Sequence, residues 1–135
     1  MKKTSFHFLR VGMAIVFLWI GILIFKNPTG WGEYLQPWAL ALLPIPIAQA
    51  MIGTAILDVI VGALLLIDIL TWFAAFLGAL HILIVLTTVG ITDITIRDIG
   101  LLVGVIALMI ESLPQFILNK INFLKKPGID QNPSL

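Results

Sequence analysis

Uncharged apolar residues run along this chain in long blocks, and the polar positions collect in the breaks between them. Four blocks stand out: Phe8–Phe25, Ile47–Leu70, Thr71–Val89 and a shorter one from near Thr95 to Leu113. A helix needs ~20 residues to cross the hydrocarbon of a bilayer, and these blocks are of that order. Within them nothing alternates with a period of two, which argues against barrel strands. The fourth helix is expected to begin near Thr95, carrying Arg97 and Asp98 at the membrane edge, and to bend or stop at Pro114. The pattern predicts an all-α, polytopic membrane protein: a single domain over residues 1–118 built as a four-transmembrane-helix bundle, then a basic, largely disordered tail over residues 119–135.

Between the first two blocks lies Asn27–Pro46, with four prolines and the aromatic residues Trp31, Tyr34 and Trp38. Rings of this kind favour the headgroup level, so a short interfacial segment is expected here. Gly30–Leu35 suits one helical turn and Trp38–Leu43 another, before Pro44 and Pro46 stop it. Two readings stand side by side, a lid over the bundle mouth carried by Trp31 and Trp38, or an aromatic belt in a connecting loop.

Composition agrees with the pattern. The chain is 60% hydrophobic and 11% charged, where soluble domains carry roughly 25% charged residues. Its mean hydropathy is +1.11. A net charge of +1 with no basic stripe excludes nucleic-acid partners. Cysteine is absent, so disulfides and thiolate chemistry are excluded as well. Lys2, Lys3 and Arg10 precede the first block as in a signal peptide, but that block runs on through bulky Trp19, Ile22 and Leu23 with no small-residue cleavage site. It is read as a retained span. Lys and Arg flanking the spans divide six to two in favour of the side holding both termini. That bias predicts a multi-pass protein of the cell membrane with cytoplasmic N- and C-termini.

Small and polar residues share stripes at helical spacing: Arg10, Ala14, Phe17 and Gly21; Ala50, Thr54, Asp58 and Gly62; Ala74, Gly78, His81, Val85 and Thr88; Arg97, Gly100, Gly104, Ala107 and Glu111. Helices in lipid associate through such small-residue faces, so all four stripes are expected to turn inward. Asp58 and His81 lie equally far from a bend at Ile69–Leu70 and should share one depth. A charge at mid-membrane costs ~2.5–3.5 kcal/mol on insertion scales, so such groups usually face a partner or a cavity. As a carboxylate–imidazole pair they suit proton transfer or the gripping of a polar ligand; as a plain interhelical hydrogen bond they would add only ~1 kcal/mol of packing. Arg97 is placed ~7 Å nearer the outer face than His81, at a rise of about 1.5 Å per residue. From there it can reach down to Asp58 or stay at the rim with Asp93 and Asp98. Arg97-Asp98 suits an anionic headgroup or polar substrate, or else a helix start with its neighbouring counter-ion. Arg10, Thr54, Asp93 and Glu111 are lesser candidates, with Arg10 and Glu111 able to pair near the cytoplasmic surface. His7 and His81 lie too far apart along one helix bundle to share a metal ion, and no nucleotide, flavin or haem motif is present. Neither a metal site nor an intrinsic cofactor is expected.

The run Arg10-Val-Gly-Met-Ala-Ile-Val-Phe-Leu-Trp-Ile-Gly, Lys26-Asn-Pro with Trp31, Gly53-Thr-Ala-Ile-Leu-Asp58, Ala79-Leu-His81 and Asp93-Ile-Thr-Ile-Arg97-Asp98-Ile-Gly100-Leu resembles DoxX-like membrane proteins over Phe8 to Ile110. Asp58 stands where many relatives carry Glu. The resemblance implies a four-helix membrane bundle, in a family that includes a subunit of thiosulfate:quinone oxidoreductase. It marks Arg10, Asp58, His81, Arg97 and Asp98 as the polar positions of interest. It leads to the expectation of a redox-associated subunit that holds a quinone or another small amphiphile in an intramembrane polar pocket, with an oxidoreductase partner subunit. The alternatives are a proton-coupled small-solute permease, acting as a homo-oligomer, and a structural subunit of a membrane complex.

Overall fold

The computed structural model describes residues 1–125. Helix α1 (Lys3–Lys26) stops at Asn27, whose side chain accepts a hydrogen bond from the Gly30 amide at 3.1 Å and so starts α2 (Pro28–Gly32). Proline leads both α2 and α3 (Pro37–Ala41), since its fixed φ and missing N–H suit a first helical position. Two long helices follow, α4 (Ile47–Ile67) and α5 (Thr71–Val89), then α6 (Ile96–Glu111) and α7 (Gln115–Lys125). No strand occurs among the described residues.

Helices α1, α4 and α5 are each long and apolar enough to cross a membrane; α6 and α7 meet that length and apolarity only together, and the 88° bend between them fits a broken span or a re-entrant loop. Their outward faces carry Phe8, Ile15, Trp19, Ile60, Leu83 and Val103, all exposed. A water-soluble monomer rarely leaves so continuous an apolar coat uncovered.

The long helices run antiparallel, with α2 and α3 at one end (the upper) and the chain start and α7 at the other (the lower). The closest pairing is α1 with α4. A Cβ on Gly62 would lie 2.9 Å from the Leu18 amide nitrogen and 3.0 Å from the Ala14 carbonyl oxygen; one on Gly21 would lie 3.0 Å from the Ala55 carbonyl oxygen. Each helix therefore presses a glycine against the other's backbone. Beside and below this contact the core is Met13, Phe17, Val61, Leu65, Val105 and Leu108, with Ala74 and Ala75 of α5.

The α4–α5 turn holds two non-glycine residues in the left-handed region, Asp68 at φ 60° and Leu70 at φ 49°. Asp68 accepts a hydrogen bond from the Thr71 hydroxyl at 2.7 Å. Arg10, 8% exposed, fastens the turn from the neighbouring helix: its guanidinium donates to the carbonyls of Leu65 and Leu66 and lies 3.5 Å from the Asp68 carboxylate. It thereby satisfies carbonyls that the end of α4 leaves without intrahelical partners.

The structure departs from the sequence reading at three places. On α6 the buried positions are Val105 and Leu108, with Leu101 half-buried, one residue on from the expected stripe. Arg97, Gly100 and Glu111 are exposed, although Gly104 does meet α1, where a Cβ would lie 3.0 Å from Met13 Cε. Large side chains filling the gap beside Met13 and Phe17 set the rotation of α6 more than its small residues do. Glu111 does not pair with Arg10 but accepts from the N-terminal ammonium at 2.8 Å. Residues 119–125, expected in the irregular tail, continue helix α7, while the expected disorder of 126–135 lies outside the described residues.

Gly62→Leu must push the α1 backbone away, and overpacking of this kind costs about 1–3 kcal/mol. The thermal midpoint of the detergent-solubilised protein should drop for Gly62→Leu. It should hold or rise for Gly53→Ala, where a Cβ has nothing within 4 Å.

Candidate functional site

Ten residues separate Asp58 from the turn at Asp68, and ten separate Thr71 from His81, so the hairpin returns His81 to the level of Asp58. His81 Nε2 lies 3.2 Å from Asp58 Oδ1. Asp58 is 2% exposed, flanked by Gly21 of α1, and its Oδ1 has no aligned hydrogen-bond donor in the structure. The separation is that of a hydrogen bond but the angle is not. The pair is thus a close approach that leaves a buried acceptor unsatisfied, an arrangement proteins seldom retain without a reason.

Above the pair opens a cavity of about 350 Å³. Phe17, Ile20 and Ile24 of α1, Met51 and Thr54 of α4, Ile82 and Val85 of α5 and Leu101 of α6 make its walls. Asp58 and His81 lie at its deep end, where the packed core begins, and Arg97 and Asp98 enter from the first turn of α6. Arg97 Nε lies 3.8 Å from Asp98 Oδ1; the Arg97 side chain is 58% exposed and that of Asp98 15%. Of the two placements open to Arg97, the structure shows the rim, beside Asp98, and no ion pair with Asp58. The Thr54 hydroxyl donates to the Ala50 carbonyl at 3.2 Å, within its own helix, and so lines the wall with its polar group already engaged.

The upper end is roofed by Trp31, Tyr34, Leu35 and Leu43. Gln36 ties this roof to the end of α5: its amide donates to the Thr88 carbonyl at 2.9 Å and its side-chain nitrogen to the Val89 carbonyl at 3.2 Å. Gly90 makes room for the tie. Its φ is +85°, and a Cβ there would lie 2.5 Å from Gln36 Nε2. The α5–α6 connection is held by Thr95, 3% exposed, which donates to the Gly90 carbonyl at 2.6 Å and accepts from the Thr92 amide at 2.8 Å.

The structure therefore gathers Asp58, His81, Thr54, Arg97, Asp98 and Trp31 around one space. Arg10 and Glu111 lie at the lower end and Asp93 in the exposed turn before α6, all three away from the cavity. Trp38 points elsewhere too: it is 49% exposed and donates its indole N–H to Gln36 Oε1 at 2.6 Å. Sequence reasoning missed Gln36 and Thr95. The Gly90 that ends α5 is a visible signal for a fixed bend, but nothing in the sequence says which side chain will clasp it. Among the described residues no three His, Asp or Glu side chains converge as metal ligands would.

Chemically the site joins an apolar, roofed chamber to one carboxylate and one imidazole at its floor. An ionised carboxylate accepts hydrogen bonds, a protonated one donates, and the imidazole does either according to its tautomer. A polar head of either character can be held there. Comparisons with protein-family models, with curated proteins and with solved structures find no match to the chain.

Gln36→Leu removes the side-chain bonds to Val89 and Trp38 but keeps the amide bond to Thr88. Its expected effect is a loss of about 1 kcal/mol, as for a typical hydrogen bond. Amide exchange should accelerate through residues 28–43 while the α1–α4 core keeps its protection, measured by hydrogen exchange with mass spectrometry.

Proposed function

We propose that this chain is a DoxX-like four-helix membrane protein whose cavity binds a small amphiphile with a hydrogen-bonding head, of the quinone–quinol class, as a subunit beside a membrane oxidoreductase. Helices α1, α4, α5 and the bent pair α6–α7 are the four membrane passes in this reading. The excess of Lys and Arg at the lower end makes that end cytoplasmic. The roof then lies at the outer headgroup level, where Trp31 and Tyr34 are at home.

One observation carries the reading: Asp58 Oδ1 is buried, has no aligned donor, and lies with His81 at the floor of a largely apolar chamber whose rim carries Arg97 and Asp98. An unsatisfied buried polar atom costs about 1–3 kcal/mol, and a bound hydroxyl would remove that cost. A quinol hydroxyl supplies the donor that Asp58 lacks, and a quinone carbonyl can accept from protonated Asp58 or from the His81 N–H. The two residues thus serve both forms of one head and offer places for the two protons that, together with two electrons, separate quinone from quinol. Electron transfer belongs to a cofactor-bearing partner, since the residues here supply binding, orientation and a proton site.

The permease reading has less support. Below Asp58 the way to the lower end is filled by Val61, Leu65, Val105 and Leu108, each 0% exposed. A conduit would have to part that layer, whereas a binding chamber needs it closed.

The test is binding of 2,3-dimethoxy-5-methyl-1,4-benzoquinone and its quinol to the protein in nanodiscs, by calorimetry. Asp58→Leu fills the floor with an apolar side chain and should weaken the quinol at least tenfold; His81→Phe should weaken the quinone more than the quinol. Equal affinities in wild type and Asp58→Leu, with both proteins folded, would refute the assignment.

A further inference from the structure

Resting on that binding reading, we infer that the ligand is a single-tailed amphiphile that reaches the chamber sideways from the bilayer, its tail lying in a groove between α1 and α6. A second hollow, of about 360 Å³, opens on that flank, lined by Ile15, Val16, Trp19, Ile20, Arg97 and Leu101. Val16, Ile20, Arg97 and Leu101 line the inner chamber as well. Those four side chains are shared by the two hollows and stand between the chamber and the outer flank.

The packing of the two helices shows why the gap lies there. At the level of Gly104, α6 sits on α1, with Met13 Cε 3.0 Å and Leu9 Cδ1 3.7 Å from the place of a Cβ. One turn higher, a Cβ on Gly100 would meet nothing within 4 Å. The helices touch low and part high. The groove begins where they part, and its outward rim is Ile15 and Trp19, 56% and 64% exposed.

The occupant follows from shape and charge. A chamber of about 350 Å³ lies at the small end of ligand sites, ~300–1,000 Å³, enough for one ring-sized head but not for a pair of acyl chains. Asp58 and Asp98 both face the chamber, and its two basic groups are each beside one of them, Arg97 beside Asp98 and His81 3.2 Å from Asp58. An anionic head is disfavoured by that balance and an uncharged one is not. The groove itself is apolar except for Arg97 at its upper edge, and it suits an alkyl or isoprenoid tail in continuity with lipid chains. Passage from the aqueous side would instead require lifting the roof that Gln36 holds down. Movement of Leu101 and Ile20 side chains is the smaller change.

The experiment compares the tail-less benzoquinone named above with its 6-decyl homologue in nanodiscs, both affinities expressed per membrane-phase concentration so that partitioning cancels. In wild type the decyl form should bind at least tenfold more tightly. Ile15→Trp fills the groove from its lipid-facing rim without touching the chamber, and Ile15 is exposed enough to accept the change. It should bring the decyl form to within twofold of the tail-less one and leave tail-less binding within twofold of wild type. Ile15→Ala should bind both as wild type does. If Ile15→Trp leaves the decyl advantage intact, or weakens both forms alike, the lateral route is overturned while the chamber assignment stands. If the tail-less form binds Asp58→Leu as well as wild type, the chamber assignment falls whatever the groove does. If neither form binds wild type, both fall.

Discussion

The contact on which this structure depends is the backbone-to-backbone approach of α1 and α4. Between two apolar helix faces, association rests on how many atoms come into van der Waals range. Gly21 and Gly62 permit that range to be reached along two turns, each against the other helix's main chain. Asp58 lies between them in sequence and in space. Its seclusion comes from this contact: α1 covers it on one side, and its own helix and α5 enclose it on the others. A wider spacing between α1 and α4 would open Asp58 to whatever surrounds the bundle and dissolve the chamber floor.

The chamber is a consequence of unequal packing. Low in the bundle large side chains are buried together with small ones, Leu65 with Ala74 and Ala75 in one core, each 0% exposed. Higher up, α1 and α6 diverge, the walls become isoleucine, methionine and valine, and the short helices α2 and α3 close the top instead of a fifth long helix. The polar pair lies at the boundary between these two regimes, so it is dry beneath and accessible above. That position suits recognition of a head group, and it explains how two titratable side chains can be tolerated at one depth: neither is surrounded by hydrocarbon on all sides.

The level shared by Asp58 and His81 was legible because a helical hairpin with a short turn is a ruler, and equal residue counts on its two arms mean equal heights. The α1 and α4 stripes were legible for a similar reason, since small residues at spacings of three and four leave little choice of contact face. On α6 the same logic misplaced the inner face by one residue. Small residues there compete with Leu101, Val105 and Leu108, and volume complementarity against Met13 and Phe17 outweighed closeness. That rotation also put Arg97 on the rim, a choice the sequence left open. Gln36 and Thr95 were illegible because polar residues in connecting segments have no periodicity to betray them. Their partners are main-chain carbonyls, which every residue has. Trp38 illustrates the converse error: an aromatic near a membrane surface looks like a lid, yet here its ring faces away and its N–H braces Gln36.

Arg10 has a bearing on what holds the α4–α5 hairpin in shape. The carbonyls of Leu65 and Leu66 have no intrahelical donor at the end of α4. Their donor sits on α1, outside the hairpin that it fastens. The same guanidinium stands beside Asp68, so the left-handed backbone at Asp68 and Leu70 is braced from a helix that is not part of the turn. The shape of the hairpin is thus under the control of a side chain 55 residues away along the chain.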